Sequence, residues 1–203
     1  MSEVQKARPL KIVLLGDVKV GKSSLIDKYQ RQNPTASTDG VRHNDKDYVI
    51  QLWDVSGGRC QLPGYSPWQH NYCKEAMGVI YVYDVQTKFS LQNLSWYRKA
   101  YNSLVTQLNG DPIPAVLVGN KHDVGELDGS EVCEQLGIEK WFYVSANTGE
   151  NVNEAFEYLI KKVAYLQNDD LDFAKLNSEN FDLYDNKTDS PSKSYSVLPC
   201  TVL

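Results

Sequence analysis

The sequence predicts an α/β fold with a mostly parallel six-stranded sheet and helices on both of its faces. Short apolar runs alternate along the chain with segments of helical periodicity. The run at residues 79–83 is wholly apolar, as expected for a central strand buried on both faces of a parallel sheet. Ligand sites in such sheets lie beyond the carboxyl ends of the strands, so polar motifs at those ends are the candidates for function.

The individual elements follow from the same periodicities. Strands are predicted at residues 10–15, 41–43, 48–53, 78–84, 114–119 and 141–144, and helices at residues 22–32, 67–74, 89–107, 129–136 and 151–166. Polar residues 44–47 separate the second and third strands, which predicts an antiparallel hairpin. We expect one domain over residues 1–166, followed over residues 167–203 by a flexible acidic tail with too few apolar side chains to fold.

Composition and charge narrow the classes of function. The formal net charge of −5 gives no electrostatic footprint for nucleic acid, so no nucleic-acid partner is expected. The sequence has no apolar run of membrane-spanning length and its first residues do not form a signal peptide, which predicts a cytoplasmic protein. Four cysteines without metal-binding spacing are predicted to be reduced thiols, namely Cys60, Cys73, Cys133 and Cys200.

A glycine-rich loop follows the first predicted strand. Residues 16–23 have the sequence GDVKVGKS and lead into the first predicted helix. Gly16 and Gly21 let the backbone curl so that its N–H groups converge on a β-phosphate. Lys22 supplies positive charge for the β- and γ-oxygens, and Ser23 offers a hydroxyl to Mg²⁺. The predicted nucleotide contacts in this stretch are Gly16, Val18, Lys19, Val20, Gly21, Lys22, Ser23 and Ser24.

Three further motifs follow later strands: DVSG at residues 54–57, NKHD at residues 120–123 and SAN at residues 145–147. With the glycine loop, they make the chain resemble the small GTPases of the Ras superfamily, most closely the Rab branch, over about residues 8–166. The resemblance implies the P-loop small GTPase fold, GTP or GDP as the ligand and Mg²⁺ as the cofactor. It also implies that Asp54 holds Mg²⁺ through a water molecule and that the N–H of Gly57 contacts the γ-phosphate.

The two later motifs are expected to bind the base. Resemblance to the N-K-x-D element implies that Asp123 accepts hydrogen bonds from the ring N–H and the exocyclic amine of guanine, a donor pair that adenine lacks. Resemblance of residues 145–147 to the S-A-K element implies that the N–H of Ala146 binds guanine O6. The base contacts predicted in these motifs are Asn120, Lys121, Asp123, Ser145, Ala146 and Asn147.

Two positions near the γ-phosphate depart from the family's pattern, so no catalytic residue is assigned. Gly58 stands where the family carries the glutamine that orients the attacking water. Val18 stands where Rab proteins usually carry serine or glycine, and its branched side chain is expected to crowd both the γ-phosphate and an incoming arginine. We therefore predict slow intrinsic and poorly stimulated hydrolysis. Three nearby residues are alternatives to the missing glutamine: Arg59, Gln61 and Gln69.

The first switch segment is short. Thr38 resembles the threonine whose hydroxyl completes the Mg²⁺ shell, and Thr35 is the alternative. The predicted metal ligands are thus Ser23, Thr38 and, through water, Asp54. The sequence has no aromatic residue at positions 31–37 to stack on guanine, so only Tyr29 could take that role. Loss of the stack would weaken guanine binding and speed nucleotide exchange.

The last four residues, CTVL at positions 200–203, fit a C-a-a-X box with Cys200 as the site of prenylation. Residues 167–203 carry seven acidic residues and three lysines, so a polybasic second signal is absent and membrane attachment is expected to be reversible. The same residues also resemble a C-terminal PDZ ligand, which processing of the box would remove.

The implied function is a Rab-like molecular switch in intracellular membrane traffic. It would reside in the cytoplasm and reversibly on the cytosolic face of an endomembrane or the plasma membrane, and bind effector and regulatory proteins through residues 35–72. One alternative is a hydrolysis-deficient adaptor in which bound GTP is structural. The other is a P-loop ATPase or small-molecule kinase, against which Asn120 and Asp123 argue.

Overall fold

The computed structural model describes residues 8–34, 41–43, 46–55, 73–102, 112–167 and 198–199. The strands in these residues are β1 Arg8–Leu15, β2 Val41–His43, β3 Lys46–Asp54, β4 Gly78–Asp84, β5 Ala115–Asn120, β6 Lys140–Tyr143 and β7 Leu198–Pro199. The α-helices are α1 Lys22–Gln32, α2 Lys88–Gln92, α3 Leu94–Asn102, α4 Ser130–Gln135 and α5 Val152–Leu166. The strands form one sheet in the spatial order β2-β3-β1-β4-β5-β6-β7.

The sheet is parallel at its centre and antiparallel at its edges, which confirms the α/β prediction. Strands β1, β3, β4, β5 and β6 run parallel. Strand β2 pairs antiparallel with β3, so the predicted hairpin is confirmed. The described residues form seven strands instead of the predicted six, because Leu198 and Pro199 pair antiparallel with β6. A two-residue strand is too short to show any periodicity in the sequence.

Helices cover both faces of the sheet and bury two apolar layers. Every residue of β4 and β5 is buried. Ile80 and Val82 pack into the layer that contains side chains of α1 and α5, whereas Val79 and Tyr81 pack into the layer that contains side chains of α3. Neighbouring residues serve opposite layers because side chains alternate along a strand. This double burial accounts for the continuous apolar run in β4.

The helix predicted over residues 89–107 is interrupted in the structure. Helix α2 ends at Gln92 and α3 begins at Leu94. Asn93 lies between them with φ −66° and ψ −17°, and its side-chain Nδ2 donates to Oδ2 of Asp17 at 2.7 Å. The sequence does not reveal this break because the apolar spacing continues across it. Residues 103–107 and nearly all of the helix predicted at 67–74 lie outside the described residues.

The structure places Tyr29 in the core, so its suggested role as the aromatic residue stacked on guanine is wrong. The Tyr29 side chain is 3% exposed. Its ring stacks on that of Phe156, with centroids 4.6 Å apart and an interplanar angle of 12°. Phe156 belongs to α5, so the stack joins α1 to α5 within the apolar layer. Burial of both rings commits Tyr29 to packing.

This stack predicts a stability effect. We expect Phe156→Ala to lower the free energy of unfolding by about 3–5 kcal/mol, because it removes a buried ring and leaves a cavity. Phe89→Ala is the matched control, since the Phe89 side chain is 64% exposed. The control should stay within about 0.5 kcal/mol of the parent protein. Urea denaturation measures both variants, and equal losses would contradict the assignment of Phe156 to the core.

Candidate functional site

The loop between β1 and α1 turns at two glycines that no other residue type can replace. Gly16 has φ +150°, and a Cβ added there would lie 2.1 Å from the carbonyl oxygen of Val82. Gly21 has φ +96°, and a Cβ there would lie 2.3 Å from Nδ2 of Asn120. Both positions therefore require glycine for backbone conformation and for space. The backbone of the loop therefore passes close to the Val82 carbonyl and to the Asn120 side chain before α1 begins.

Lys22 begins α1 and crosses the loop. The residue is only 6% exposed, and its Nζ donates to the carbonyl oxygens of Gly16, at 2.9 Å, and Asp17, at 2.8 Å. The first turn of α1 contains no acidic residue, and Gly21 at its N-cap provides no side-chain hydrogen bond. The backbone N–H groups of this turn, the helix dipole and the ammonium group therefore all favour an anion. This donor set fits the phosphates of a nucleotide.

Ser23 and Asp54 come together beside the loop. Ser23 Oγ donates to Oδ2 of Asp54, although the two residues are 31 positions apart in the chain. Parallel pairing of β1 with β3 creates the contact, because it aligns Leu14 with Asp54 at the carboxyl ends of the strands. A hydroxyl and a carboxylate oxygen are ligands that Mg²⁺ accepts. The pair fits the predicted metal site.

Lys19 carries backbone strain that the sequence did not indicate. Its φ is +66°, in the left-handed region that favours glycine. The next residue but one, Gly21, is also left-handed, so the loop concentrates unusual dihedrals between β1 and α1. Val18, just before Lys19, is 47% exposed. The branched side chain of Val18 is thus available at the surface of the loop.

Asn120, at the end of β5, connects the glycine loop to the loop that follows β6. Asn120 is only 2% exposed. Nδ2 donates to the carbonyl oxygen of Val20 at 2.8 Å, and Oδ1 accepts the N–H of Ala146 at 3.0 Å. The Ala146 N–H predicted to bind guanine O6 therefore already has a protein partner in this structure. Its contact with guanine stays a prediction.

The Asp123 carboxylate is oriented by two donors. Ser145 Oγ donates to Oδ1 at 2.7 Å, and Asn147 Nδ2 donates to Oδ2 at 3.1 Å. The hydrogen bond from Ser145 and, to a smaller extent, that from Asn147 lower the pKa of the Asp123 carboxyl below its ordinary value. The exposed carboxylate remains ionised and retains acceptor capacity on both oxygens. It fits a base edge that offers two adjacent N–H donors.

Three residues outside the predicted set support this site, namely Asp84, Lys28 and Asp17. Nζ of Lys121 donates to Oδ2 of Asp84 at 2.5 Å, and Nζ of Lys28 donates to the carbonyl oxygen of Asn147 at 2.8 Å. Asp17 forms the third support, through side-chain hydrogen bonds to α3 and its N-terminal junction. Asp84 could have been identified from the sequence, because it is the last residue of the central strand β4, at the same edge of the sheet.

The structure thus brings most of the predicted site residues to one edge of the sheet. The glycine loop, Asp54, Asn120, Asp123 and residues 145–147 are connected by the hydrogen bonds described above. The remaining predicted residues lie outside the described residues: Thr35, Thr38, Gly57, Gly58, Arg59, Gln61, Gln69 and Cys200. In the described part of the chain, no group of three or more His, Cys, Asp or Glu side chains could hold a metal ion. No helix there has the length and apolarity to cross a membrane.

The geometry at Asp123 predicts a change of base preference. Asp123→Asn replaces one acceptor oxygen with an N–H donor, so we expect it to weaken GDP binding by at least about tenfold and to favour XDP, because xanthine presents an oxygen where guanine has its amine. Asp27→Asn, at an exposed position on α1, is the control with the same change of charge. Competition binding with both nucleotides measures the preference. Unchanged GDP binding in the Asp123 variant would exclude this carboxylate from base recognition.

Comparisons with known proteins agree with this geometry. A family model described as "Ras family" matches residues 11–165. The Ras-related protein Rab-32 of Homo sapiens is 30% identical over 171 residues, which cover 75% of this chain and 74% of the relative. RABG3f of Arabidopsis thaliana is 31% identical over 171 residues, with 75% and 81% covered, and Rab-7L1 of Homo sapiens is 28% identical over 177 residues, with 79% and 85% covered. The chain therefore belongs to the Ras family and is a Rab-like small GTPase.

Proposed function

We propose that the chain is a guanine-nucleotide switch of intracellular membrane traffic that binds GTP and GDP with Mg²⁺ and hydrolyses GTP slowly. The observation that carries the proposal is the junction made by Asn120, which holds a loop suited to phosphate next to a carboxylate suited to guanine. Membership of the Ras family supports the ligand class. The relatives named Rab support a Rab-type protein, and the role in traffic is what the resemblance to the Rab branch implies.

Each part of the site has a distinct task in this proposal. Lys22 and the first N–H groups of α1 bind the phosphate oxygens, and Asp123 accepts the two N–H donors of guanine. Ser23 and Asp54 would hold Mg²⁺, which supplies positive charge that neutralises the β- and γ-phosphate oxygens. Thr38 and Gly57 are proposed to contact the metal and the γ-phosphate, so that residues 35–40 and 57–72 respond to the nucleotide state.

Slow hydrolysis is expected from the residues at two positions, 18 and 58, that the family resemblance places beside the γ-phosphate. Phosphoryl transfer depends on positioning of the attacking water and on stabilisation of the charge that develops. Gly58 has no side chain with which to orient water. Val18 is 47% exposed at the loop, and we expect its methyl groups to crowd the attacking water and an arginine from an activating protein. Val18 and Gly58 are thus both proposed to slow the same step, the attack of water on the γ-phosphate.

We expect protein purified under native conditions with Mg²⁺ to release mostly GTP on denaturation. The variant with both Val18→Ala and Gly58→Gln should increase the single-turnover hydrolysis rate by about tenfold or more, equivalent to a barrier lowered by about 1.4 kcal/mol. Val49→Ala is the control, because it makes the same truncation at an exposed position of β3. Chromatography of the released nucleotide and a single-turnover assay give both results. Mostly GDP in the parent protein would contradict slow hydrolysis.

A second candidate keeps GTP binding without a cycle. If Val18 and Gly58 together prevent hydrolysis, bound GTP acts as a structural ligand and the chain serves as an adaptor. The two candidates differ in whether partner binding depends on the nucleotide. A switch binds its partners differently when loaded with GTP or with GDP, whereas an adaptor retains them after forced exchange to GDP.

The outer face of β3 supports partner binding in the proposed effector region, residues 35–72. Val49, Gln51 and Trp53 alternate along the strand and are exposed, whereas Tyr48 on the opposite face is buried. Trp53 is 36% exposed, and Nζ of Lys11 lies 4.2 Å from its ring centroid. Large apolar side chains beside a cation are features of protein-binding surfaces. We assign this face to effector or regulatory proteins.

Reversible membrane attachment completes the proposal. Cys200 in the sequence CTVL is the proposed prenylation site, and the acidic tail adds no electrostatic attraction to anionic lipids. Expression in eukaryotic cells should give a protein whose intact mass includes a prenyl group, and Cys200→Ser should abolish that increment and the membrane-bound fraction. An unmodified Cys200 with an intact C-terminus would favour the PDZ-ligand alternative instead.

A further inference from the structure

Asp17 lies in the glycine loop of residues 16–23, which we call the phosphate loop from here on, and its buried side chain is held from another part of the fold. The residue is only 8% exposed. Its Oδ1 accepts a hydrogen bond from the Tyr97 hydroxyl at 2.9 Å, and its Oδ2 accepts one from Asn93 Nδ2 at 2.7 Å. A buried carboxyl group requires such partners, because its loss of hydration is otherwise uncompensated. The donors lie 76 and 80 positions further along the chain.

The backbone of Asp17 belongs to the phosphate-binding machinery. Its carbonyl oxygen accepts Nζ of Lys22 at 2.8 Å, so the residue is tied to the central cation of the loop. Val18 and the strained Lys19 follow directly, and the dihedral angles of Lys19 persist only if the surroundings determine them. A fixed Asp17 side chain therefore constrains where the loop turns.

The two donors come from one short segment. Asn93 is the residue at which α2 gives way to α3, and Tyr97 lies one helical turn later. The carbonyl oxygen of Asn93 accepts the N–H groups of Trp96, at 3.0 Å, and Tyr97, at 3.3 Å. Asn93, the residue at which the helix is interrupted, is therefore also the residue whose side chain reaches the loop.

We propose that Asn93 and Tyr97 are positioning residues that hold the phosphate loop in its nucleotide-retaining shape through the carboxyl group of Asp17. The inference rests on the proposed nucleotide function and deepens it by placing part of nucleotide retention in the α2–α3 segment, outside the nucleotide-binding motifs. Neither residue belongs to the loop or to the base-binding motifs. Their removal should loosen the loop while leaving Lys22 and Asp123 in place.

The test compares two tyrosines on the same helix. Tyr97→Phe removes the hydroxyl that bonds Asp17, whereas Tyr101→Phe removes a buried hydroxyl that has no hydrogen-bond partner in the described structure. We expect Tyr97→Phe to raise the dissociation rate of fluorescent GDP in the presence of Mg²⁺ by about tenfold, as for loss of a hydrogen bond to a charged group. Tyr101→Phe should change it by less than about twofold. Asn93→Ala should resemble Tyr97→Phe.

A double-mutant cycle separates positioning from a general loss of stability. If Tyr97 acts through Asp17, Tyr97→Phe should have no further effect on the dissociation rate in the Asp17→Ala background. The accelerations should also be equal for GDP and IDP, because the phosphate loop does not read the exocyclic amine. Both readouts measure nucleotide retention and not the amount of folded protein.

The outcomes distinguish this inference from the proposed function. Wild-type protein that retains GDP, together with equal rates for Tyr97→Phe and Tyr101→Phe, would overturn the positioning role alone. A full effect of Tyr97→Phe in the Asp17→Ala background would overturn it as well. Wild-type protein that binds no guanine nucleotide would overturn the proposed function and this inference together.

Discussion

The buried side-chain amide of Asn120 fixes the distance between the two halves of the site. One end donates to the carbonyl oxygen of Val20 in the phosphate loop, and the other accepts the N–H of Ala146 in the loop that follows β6. An unpaired amide at a position only 2% exposed would cost about 1–3 kcal/mol, so both loops must keep their places for the amide to remain satisfied. The geometry of a composite ligand site thus depends on one short polar side chain.

The phosphate loop is held from several directions by elements distant in sequence. Lys22 binds its carbonyl oxygens from α1, Asn120 binds it from β5, and the α2–α3 segment binds Asp17 from the opposite layer. The parallel sheet makes this possible, because the carboxyl ends of its strands meet at one edge. The left-handed Lys19 is compatible with such support, since strained backbone persists where surrounding structure determines it.

Most strands and helices, and the residues that form the site, were predictable because their signals are local. The glycines at 16 and 21 and the apolar run in β4 are properties of consecutive residues. The errors have a different origin. Position in the sequence makes Tyr29 the candidate to stack on guanine, but its ring stacks on Phe156. The break at Asn93 and the strand at residues 198–199 depend on partners far along the chain.

The sequence by itself determined the α/β class, the order of the motifs and the nucleotide as ligand class, because a loop with glycines, a lysine and a hydroxyl in fixed order carries its chemistry in contiguous residues. Only the tertiary structure decided which partners orient those groups. Asp123 is held across 22 and 24 residues, Lys121 across 37 and Asp17 across 76 and 80. Such contacts arise when the sheet brings distant strand ends together, and no local pattern records which side chains will then meet.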